Sequence, residues 1–154
     1  MELSVHVVGK LRPFFRDAAD EYLARLRRYV KADEREVREA GRIVAVAARQ
    51  LAEERRLLEG VPQGATLVAL ARDGTAWTSE QLAGQVDRWM LAARPLAFFV
   101  GGSTGLSPGL CARASARWSL GPLTLPHELA RVVVLEQLYR AFTICRGEPY
   151  PKGK

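Results

Sequence analysis

An apolar run that passes directly into a glycine-rich loop is the feature that most constrains the fold. Leu96–Val100 contains no polar residue and is followed at once by Gly101–Gly105, of sequence GGSTG. A short apolar run ended by glycines is typical of a buried strand. A second segment rich in Gly and Pro, Trp118–His127, contains a loop that follows a predicted strand. An apolar helix pattern then runs from about Pro126 to Cys145. Two such loops after strands, followed by one long helix, predict a ligand-binding site whose wall is formed largely by backbone atoms.

Predicted strands and helices alternate along the chain. Hydrophobic spacing, turn residues and capping patterns predict strands at 2–9, 65–70, 96–100 and 118–120, and helices at 13–30, 43–59, 78–92, 107–114 and 126–145. The segment 35–38 is ambiguous, with a strand as one interpretation. This alternation predicts an α/β fold with a mostly parallel sheet flanked by helices. The length fits a single domain over residues 1–154.

Some single residues are assigned by their place in these patterns. Asp73–Gly74 is read as the turn that ends the strand 65–70. His6 alternates out of the apolar face of the first strand, so we expect it in solvent. Trp89 and Trp118 are expected in the core.

Composition predicts a soluble globular protein of the cytoplasm. Apolar residues make up 48% and charged residues 26% of the chain, and no apolar run approaches the length of a membrane span. Residues 1–9 read as a strand rather than as a secretory signal. Cys111 and Cys145 lie in apolar helical contexts, where we expect packing in the interior rather than nucleophilic chemistry.

The charge balance favours a polyanionic partner. Lys and Arg number 23 against 17 Asp and Glu, which gives a net charge of +6. Neutralised phosphates release counterions, so such an excess supports binding to nucleic acid. An excess of this size is also common in proteins that bind no nucleic acid.

The helix 126–145 is apolar around most of its circumference, whereas a surface helix needs only one apolar stripe. A second copy of the chain would supply the extra apolar surface, which predicts a homodimer with this helix at the interface. The alternative is a helix enclosed by the sheet and by other helices of its own chain.

The candidate site lies where the predicted strands end. In a parallel sheet, ligands bind at the carboxyl ends of the strands. The Gly-rich loop is neither a P-loop nor the dinucleotide fingerprint, because the spacing of its residues differs from both. Apolar side chains of Leu70, Leu120, Leu123 and Leu125, together with glycine backbone, suit an adenine base. The pattern contains no metal-ligand set, no catalytic triad and no paired carboxylates.

Three runs resemble a known family. They are Phe99–Leu106 (FVGGSTGL), Leu123–His127 (LTLPH) and Arg131–Ala141 (RVVVLEQLYRA). They are similar to the small SPOUT methyltransferases, and within these to the bacterial family that methylates N3 of a pseudouridine in 23S ribosomal RNA. The similarity covers nearly the whole chain, from the first strand to Pro149–Tyr150.

The resemblance implies S-adenosylmethionine as methyl donor, a homodimer, a C-terminal trefoil knot and a substrate presented by the assembled ribosome. Composition and periodicity predict no knot, and the general expectation is against one. No metal is implied. The cofactor positions carried over by motif are Leu70, Gly101, Gly102, Leu120, Gly121, Pro122, Leu123, Thr124 and Leu125.

Departures from the family pattern occur at two places. Relatives often carry Asp after the strand-ending Leu, where this chain has Ala71. Relatives also commonly end in Pro-Tyr-His, whereas Tyr150 is followed here by Pro151 and Lys152. A role for a terminal His is therefore not transferred.

His127 is the best candidate for a general base. It ends the second Gly- and Pro-rich segment, and histidine is the side chain that exchanges a proton near neutral pH. The alternative is a structural histidine at the start of a helix.

Further candidates lie near the end of the chain. Arg140 is four residues after Glu136, so it forms either a helix salt bridge or a contact to RNA phosphate or to a uracil carbonyl. Tyr150 either stacks on the base or fixes the tail. Arg146 and Lys152 are candidates for phosphate contacts.

Two other classes of function are compatible with parts of the sequence. One is a non-catalytic ribosome- or RNA-binding module that uses the basic residues alone. The other is an enzyme that binds nucleotide phosphates through the Gly-rich loop. Neither accounts for the apolar, Gly- and Pro-rich segment Leu120–Leu125.

Overall fold

Five strands form one sheet in which each strand pair is parallel, in the computed structural model that describes residues 2–151. The sheet order is β2-β1-β4-β3-β5. The elements in chain order are β1 (Glu2–Val8), α1 (Pro13–Leu26), β2 (Lys31–Val37), α2 (Val46–Glu59), β3 (Thr66–Thr75), α3 (Ser79–Ala92), β4 (Leu96–Val100), α4 (Pro108–Arg113), β5 (Ala116–Trp118) and α5 (His127–Cys145). The predicted α/β class with a mostly parallel sheet is confirmed.

The crossover helices are distributed between the two faces of the sheet by the direction of each connection. The helices α1 and α3 lead towards the β2 edge and pack with α5 in one apolar cluster. The helices α2 and α4 lead towards the β5 edge and pack in a second cluster on the other face. Connections of a single handedness require this separation, because reversing direction along the sheet moves the helix to the opposite face.

Burial on both faces explains why β4 is an uninterrupted apolar run. All five residues of β4 are buried, and β1 is buried from Leu3 to Val8. A parallel sheet covered by helices on both faces has no solvent side, so its central strands are buried along their length whether or not their residues alternate.

The position of His6 corrects the sequence prediction. Its side chain is only 1% exposed, bonds to the Ser4 hydroxyl at 2.8 Å and stacks on Phe99 at 5.3 Å. Burial, with the nearby charge of Arg35 as a second cause, lowers the pKa of His6 from 6.5 to about 4. Alternation along β1 was misleading because the second face of the strand is covered by α2 rather than by solvent.

Other departures from the prediction lie at element ends. Asp73–Gly74 is part of β3 and does not end it, because the strand continues to Thr75 alongside β5. The helix α1 ends at Leu26 rather than near residue 30, and α2 begins at Val46 rather than at 43. Val44, within the predicted helix 43–59, lies before the start of α2 and is 95% exposed.

The predicted core positions have a mixed outcome. Trp118 is buried, and Trp89 is half-buried with its ring edge against Phe98. Cys111 is half-buried, but Cys145 is exposed because it lies in the last turn of α5, beyond the packed part of the helix. The expectation of an interior Cys145 was therefore wrong.

The apolar character of α5 is accounted for within its own chain. Ten of its residues are buried, and the helix packs between α1 and α3 in the larger apolar cluster. This corresponds to the alternative of an enclosed helix, so the hydrophobicity of α5 gives no support to a homodimer. The dimer and the trefoil knot both stay predictions from the family resemblance.

None of the helices within residues 2–151 is long and apolar enough to cross a membrane.

Candidate functional site

A cavity of about 910 Å³ opens at the carboxyl ends of β3, β4 and β5. Its wall comes from the bulge in β3, the loop after β4, the loop after β5 and the first turn of α5. This is the edge of a parallel sheet at which ligands ordinarily bind, and the volume is that of an ordinary small-molecule site.

The loop after β4 is closed by contacts of its own backbone. A Cβ atom added at Gly101 would lie 2.5 Å from the carbonyl carbon of Gly105, and Gly105 has a φ of +75°. A Cβ at Gly102 would lie 3.0 Å from Cγ1 of Val8, so that position faces the core. Both predicted glycines line the cavity; Gly101 allows the loop to fold back on itself, and Gly102 allows it to lie close to Val8.

The helix α2 holds this loop from the side. The Gln50 amide donates to the carbonyl of Thr104 at 2.6 Å, and Gln50 itself lines the cavity. The Thr104 hydroxyl is buried and has no hydrogen-bond partner among residues 2–151. A buried polar atom of this kind is available to a ligand.

The loop after β5 forms the opposite wall. Ser119 Oγ accepts from the Gly121 amide at 3.1 Å, and Gly121 has a φ of +109°. Leu120 packs on the core, Leu125 is half-buried, and Leu123 is 77% exposed at the mouth. All of these residues line the cavity.

Pro122 is the exception within the predicted cofactor segment. Leu70, Gly101, Gly102, Leu120, Gly121, Leu123, Thr124 and Leu125 line the cavity, whereas Pro122 is exposed and lies outside its wall. Pro122 follows the sharp turn at Gly121, which places it on the outer side of the loop.

The bulge in β3 supplies charged residues that the sequence interpretation missed. Leu70 and Thr75 both pair with Trp118, so residues 71–74 are displaced from the ladder. Gly74 makes this possible, because a Cβ there would lie 2.6 Å from the Arg117 backbone. Arg72 then donates to the Thr124 hydroxyl at 2.7 Å.

The sequence carried a weak signal for this bulge. The pair Asp73–Gly74 predicts a turn that ends the strand, whereas in the structure it belongs to an irregularity within β3. Arg72, Asp73, Arg117, Gln50 and Cys111 all line the cavity, and the sequence interpretation included none of them among the site residues.

His127 is the first residue of α5, half-buried in the cavity wall. The next residue, Glu128, accepts from the backbone and side chain of Arg12 at 2.9 and 3.1 Å. These bonds lower the pKa of the Glu128 carboxyl and attach the first turn of α5 to the start of α1. The backbone around His127 is thereby fixed against the cavity.

Arg140 and Tyr150 lie away from this cavity. His127 and Arg140 are thirteen residues apart on α5, which is about 20 Å along the helix axis. Arg140 bonds to Glu136 at 2.7 Å, and Tyr150 donates to the same carboxylate at 3.0 Å. Burial, helped by this hydrogen bond, raises the pKa of Tyr150, so its phenol stays protonated. One protomer therefore cannot bring His127 and Arg140 to the same base.

The four tyrosines of the chain gather around this second location, which we call the tyrosine–arginine surface. Arg140 lies over the ring of Tyr150 at 4.9 Å, and Arg146 lies over Tyr29 at 5.4 Å. The surface consists of Tyr22, Tyr29, Tyr139, Tyr150, Arg25, Arg28, Arg140 and Arg146. Lys152 lies outside the described residues.

A family model described as "Predicted SPOUT methyltransferase" matches residues 1–151. The chain belongs to the SPOUT methyltransferase family. This confirms the resemblance drawn from the sequence. A relative from Sorangium cellulosum, named Ribosomal RNA large subunit methyltransferase H, is 44% identical over 97% of this chain and 99% of its own. A relative of the same name from Pseudomonas paraeruginosa is 41% identical over 99% of this chain and 100% of its own.

Solved structures share the fold of this SPOUT chain at low sequence identity. A probable methyltransferase from Bordetella pertussis Tohama I has a TM-score of 0.51 at 15% identity, covering 91% of this chain and 95% of that one. A probable methylase family protein from Haemophilus influenzae Rd KW20 has a TM-score of 0.56 at 12% identity, covering 99% of this chain and 70% of that one.

The residues of the SPOUT cavity fit a nucleoside cofactor that carries a sulfonium methyl group. Leu70, Leu120 and Leu125 offer apolar faces to an adenine, and the glycine loops leave backbone groups accessible. The unpartnered hydroxyl of Thr104 adds a polar contact. Residues 2–151 contain no group of three or more His, Cys, Asp or Glu residues that could hold a metal ion.

Proposed function

We propose that the protein uses S-adenosylmethionine to methylate N3 of a pseudouridine in 23S ribosomal RNA, on the assembled ribosome in the cytoplasm. The observation that carries this proposal is the cavity at the carboxyl ends of β3, β4 and β5, whose wall contains the motifs shared with the family. Relatives named as large-subunit rRNA methyltransferases, similar over nearly the whole chain, support the choice of RNA.

In this proposal the cavity binds the adenosine of the methyl donor. Leu70, Leu120 and Leu125 enclose the base, and Thr104 bonds a polar atom of the nucleoside. The cofactor, when bound, supplies an electrophilic methyl group. The protein's main contribution is alignment of the acceptor nitrogen with this group, which is worth roughly 7–11 kcal/mol when the geometry is near attack.

The imide N3 of pseudouridine must lose its proton as the nitrogen is methylated. We assign this proton to the imidazole of His127, which lies in the cavity wall on a fixed turn. General base catalysis of this kind contributes roughly 10²–10⁴-fold to rate.

The separation of about 20 Å along α5 between His127 and Arg140 supports a composite site. We propose a homodimer in which the tyrosine–arginine surface of one protomer lies beside the cavity of the other. There Arg140 and Tyr150 contact the target base, and Arg146 and Lys152 contact RNA phosphates. Aromatic rings with guanidinium groups are a common way to hold unstacked bases.

Methyl transfer from labelled S-adenosylmethionine to ribosomes and to bare ribosomal RNA tests the proposal, with mapping of the labelled nucleotide. We expect label on one pseudouridine, with ribosomes as the better substrate. Stabilisation of the folded protein by S-adenosylhomocysteine but not by ATP is the matching result in a thermal shift assay. Ribosome binding without any transfer would instead support a non-catalytic binding module.

A further inference from the structure

Among residues 2–151, one arginine at the mouth of the cavity has no carboxylate to balance its charge. The charged side chains Arg72, Asp73 and Arg117 line this part of the wall. Asp73 and Arg117 form an ion pair at 3.2 Å. Arg72 has no carboxylate within 4.0 Å in the part of the chain that the structure describes, and its one hydrogen bond there goes to a neutral hydroxyl.

The guanidinium of Arg72 is held in place across the mouth. Its Nη2 donates to Thr124 Oγ1 at 2.7 Å, and both residues line the cavity. The bond joins the bulge of β3 to the loop after β5. Because a guanidinium carries five N–H donors, this bond leaves the others free for an anion.

We propose that Arg72 binds the carboxylate of the amino-acid half of the methyl donor. This inference rests on the proposed function and names a contact within the same site. The donor has a single anionic group, its α-carboxylate, beside a cationic sulfonium and ammonium. A planar guanidinium is the side chain best matched to a carboxylate, through two parallel hydrogen bonds. Within the described cavity wall, Arg72 is the arginine that lacks an acidic partner.

The contact has a consequence for the site as a whole. A carboxylate bound to Arg72 would lie at the junction of the β3 bulge and the loop after β5, on the opposite side of the cavity from the Thr104 loop. The two halves of the donor are then held by different segments, the adenosine by leucines and glycines and the carboxylate by one arginine. Separate contacts of this kind can be measured separately with ligands that lack one half.

The test compares two ligands by isothermal titration calorimetry. S-adenosylhomocysteine carries the carboxylate, and 5′-methylthioadenosine keeps the adenosine and the sulfur but lacks the amino-acid half. In Arg72→Gln we expect the affinity for S-adenosylhomocysteine to fall on the order of tenfold, as loss of a partly exposed charge-assisted contact predicts. The affinity for 5′-methylthioadenosine should change less than about twofold, since no contact to that ligand is removed.

Matched variants sharpen the comparison. Arg113→Gln removes a neighbouring exposed charge on α4 outside the cavity wall and should leave both affinities unchanged. Arg72→Lys keeps the charge but not the planar fork, so it should lose less than Arg72→Gln. Raising the salt concentration should weaken S-adenosylhomocysteine binding in the native protein and have a smaller effect in Arg72→Gln.

Each alternative result has a distinct meaning. Equal loss of both ligands would show that Arg72 supports the shape of the loops, and would overturn the inference. Unchanged binding of both ligands with weaker ribosome binding would assign the charge to RNA phosphate, and would also overturn it. If the native protein bound neither ligand, the proposed function itself would fail. Thermal unfolding of each variant checks that it is folded.

Discussion

At the scale of the residue, the glycines of this site are set by protein contacts more than by room for a ligand. Gly101 lies against the backbone of Gly105, and Gly74 lies against the backbone of Arg117. Backbone atoms cannot move aside as a flexible side chain can. The glycines at these positions therefore allow backbone segments to approach each other closely, and the shape of the cavity follows from that approach.

Substituting Gly101 with alanine tests this interpretation. The added Cβ would lie 2.5 Å from a backbone carbon, so we expect a loss of about 1–3 kcal/mol in the free energy of unfolding, together with loss of S-adenosylhomocysteine binding. Gly84→Ala is the matched control. Gly84 lies within α3 with no atom near its added Cβ, and alanine there should stabilise by about 0.5–1 kcal/mol. Urea unfolding measures the free energy of unfolding of both variants, and equal changes in the two would contradict this interpretation.

The buried His6 makes stability depend on pH. Its pKa of about 4 in the folded protein lies below the ordinary 6.5, so the unfolded chain binds the proton first as pH falls. The contribution of His6 to stability is therefore full above pH 6.5 and decreases towards pH 4. Between pH 8 and pH 5 we expect a loss of about 2 kcal/mol that His6→Gln does not show. Urea unfolding at both values measures the difference, and parallel losses in the two proteins would refute it.

At the scale of the element, α5 combines an apolar body with a buried charge. Arg131 is 1% exposed and donates to the carbonyl of Gly9 at 2.9 Å. It also pairs with Glu34 in the middle of β2 at 3.2 Å and with Glu36 near the end of β2 at 2.7 Å. The first half of α5, which carries His127, is thereby attached to the carboxyl ends of β1 and β2.

Replacing Arg131 with methionine should therefore destabilise the protein more than loss of an exposed ion pair. Glu34 would remain buried with only Arg16 beside it, so we expect a cost of about 3 kcal/mol. Arg25→Gln breaks the exposed pair with Glu21 and should cost less than about 1 kcal/mol. Chemical denaturation of the two variants gives the comparison. Similar small costs would mean that the buried pairs are replaceable by packing.

The elements themselves were largely predictable from local signals. Leu96–Val100 has the bounds of β4, and the helix predicted from residue 78 begins there, with Thr78 and Gln81 forming a capping box. These features depend on neighbouring residues alone. The burial of His6 and the bulge before Thr75 depend on segments distant in sequence, which cover β1 and approach β3. The glycines and leucines that line the cavity were predictable because, like β4, they are marked by their neighbours in sequence. Arg72 was not predictable, because it is the bulge in β3 that places it in the cavity wall.

At the scale of the whole molecule, the predicted catalytic residues occupy two locations. His127 lines the cavity, while Arg140 and Tyr150 share a carboxylate at the far end of α5. A homodimer with composite sites would bring them together. A site formed by a single protomer would use either His127 or the pair of Arg140 and Tyr150, but not both.

Mixing two inactive variants distinguishes these arrangements. His127→Ala and Arg140→Ala should each have low activity as homodimers. In a mixed dimer with composite sites, one site has both substitutions and the other has neither. Random mixing should then restore roughly a quarter of the native methyl transfer, measured on ribosomes after subunit exchange. No recovery, with mixed dimers present, would place both groups in the site of one protomer.

The position of α5 after α1 and α3 in the sequence has a consequence for synthesis of the protein. The helices α1 and α3 form their apolar cluster around side chains that extend to Phe142. A nascent chain that has reached only Pro126 therefore leaves those two helices and one face of the sheet without their cover. Contacts between segments so far apart in sequence form slowly. An enzyme that we propose to act on finished ribosomes thus completes its own core only after α5 has been synthesised.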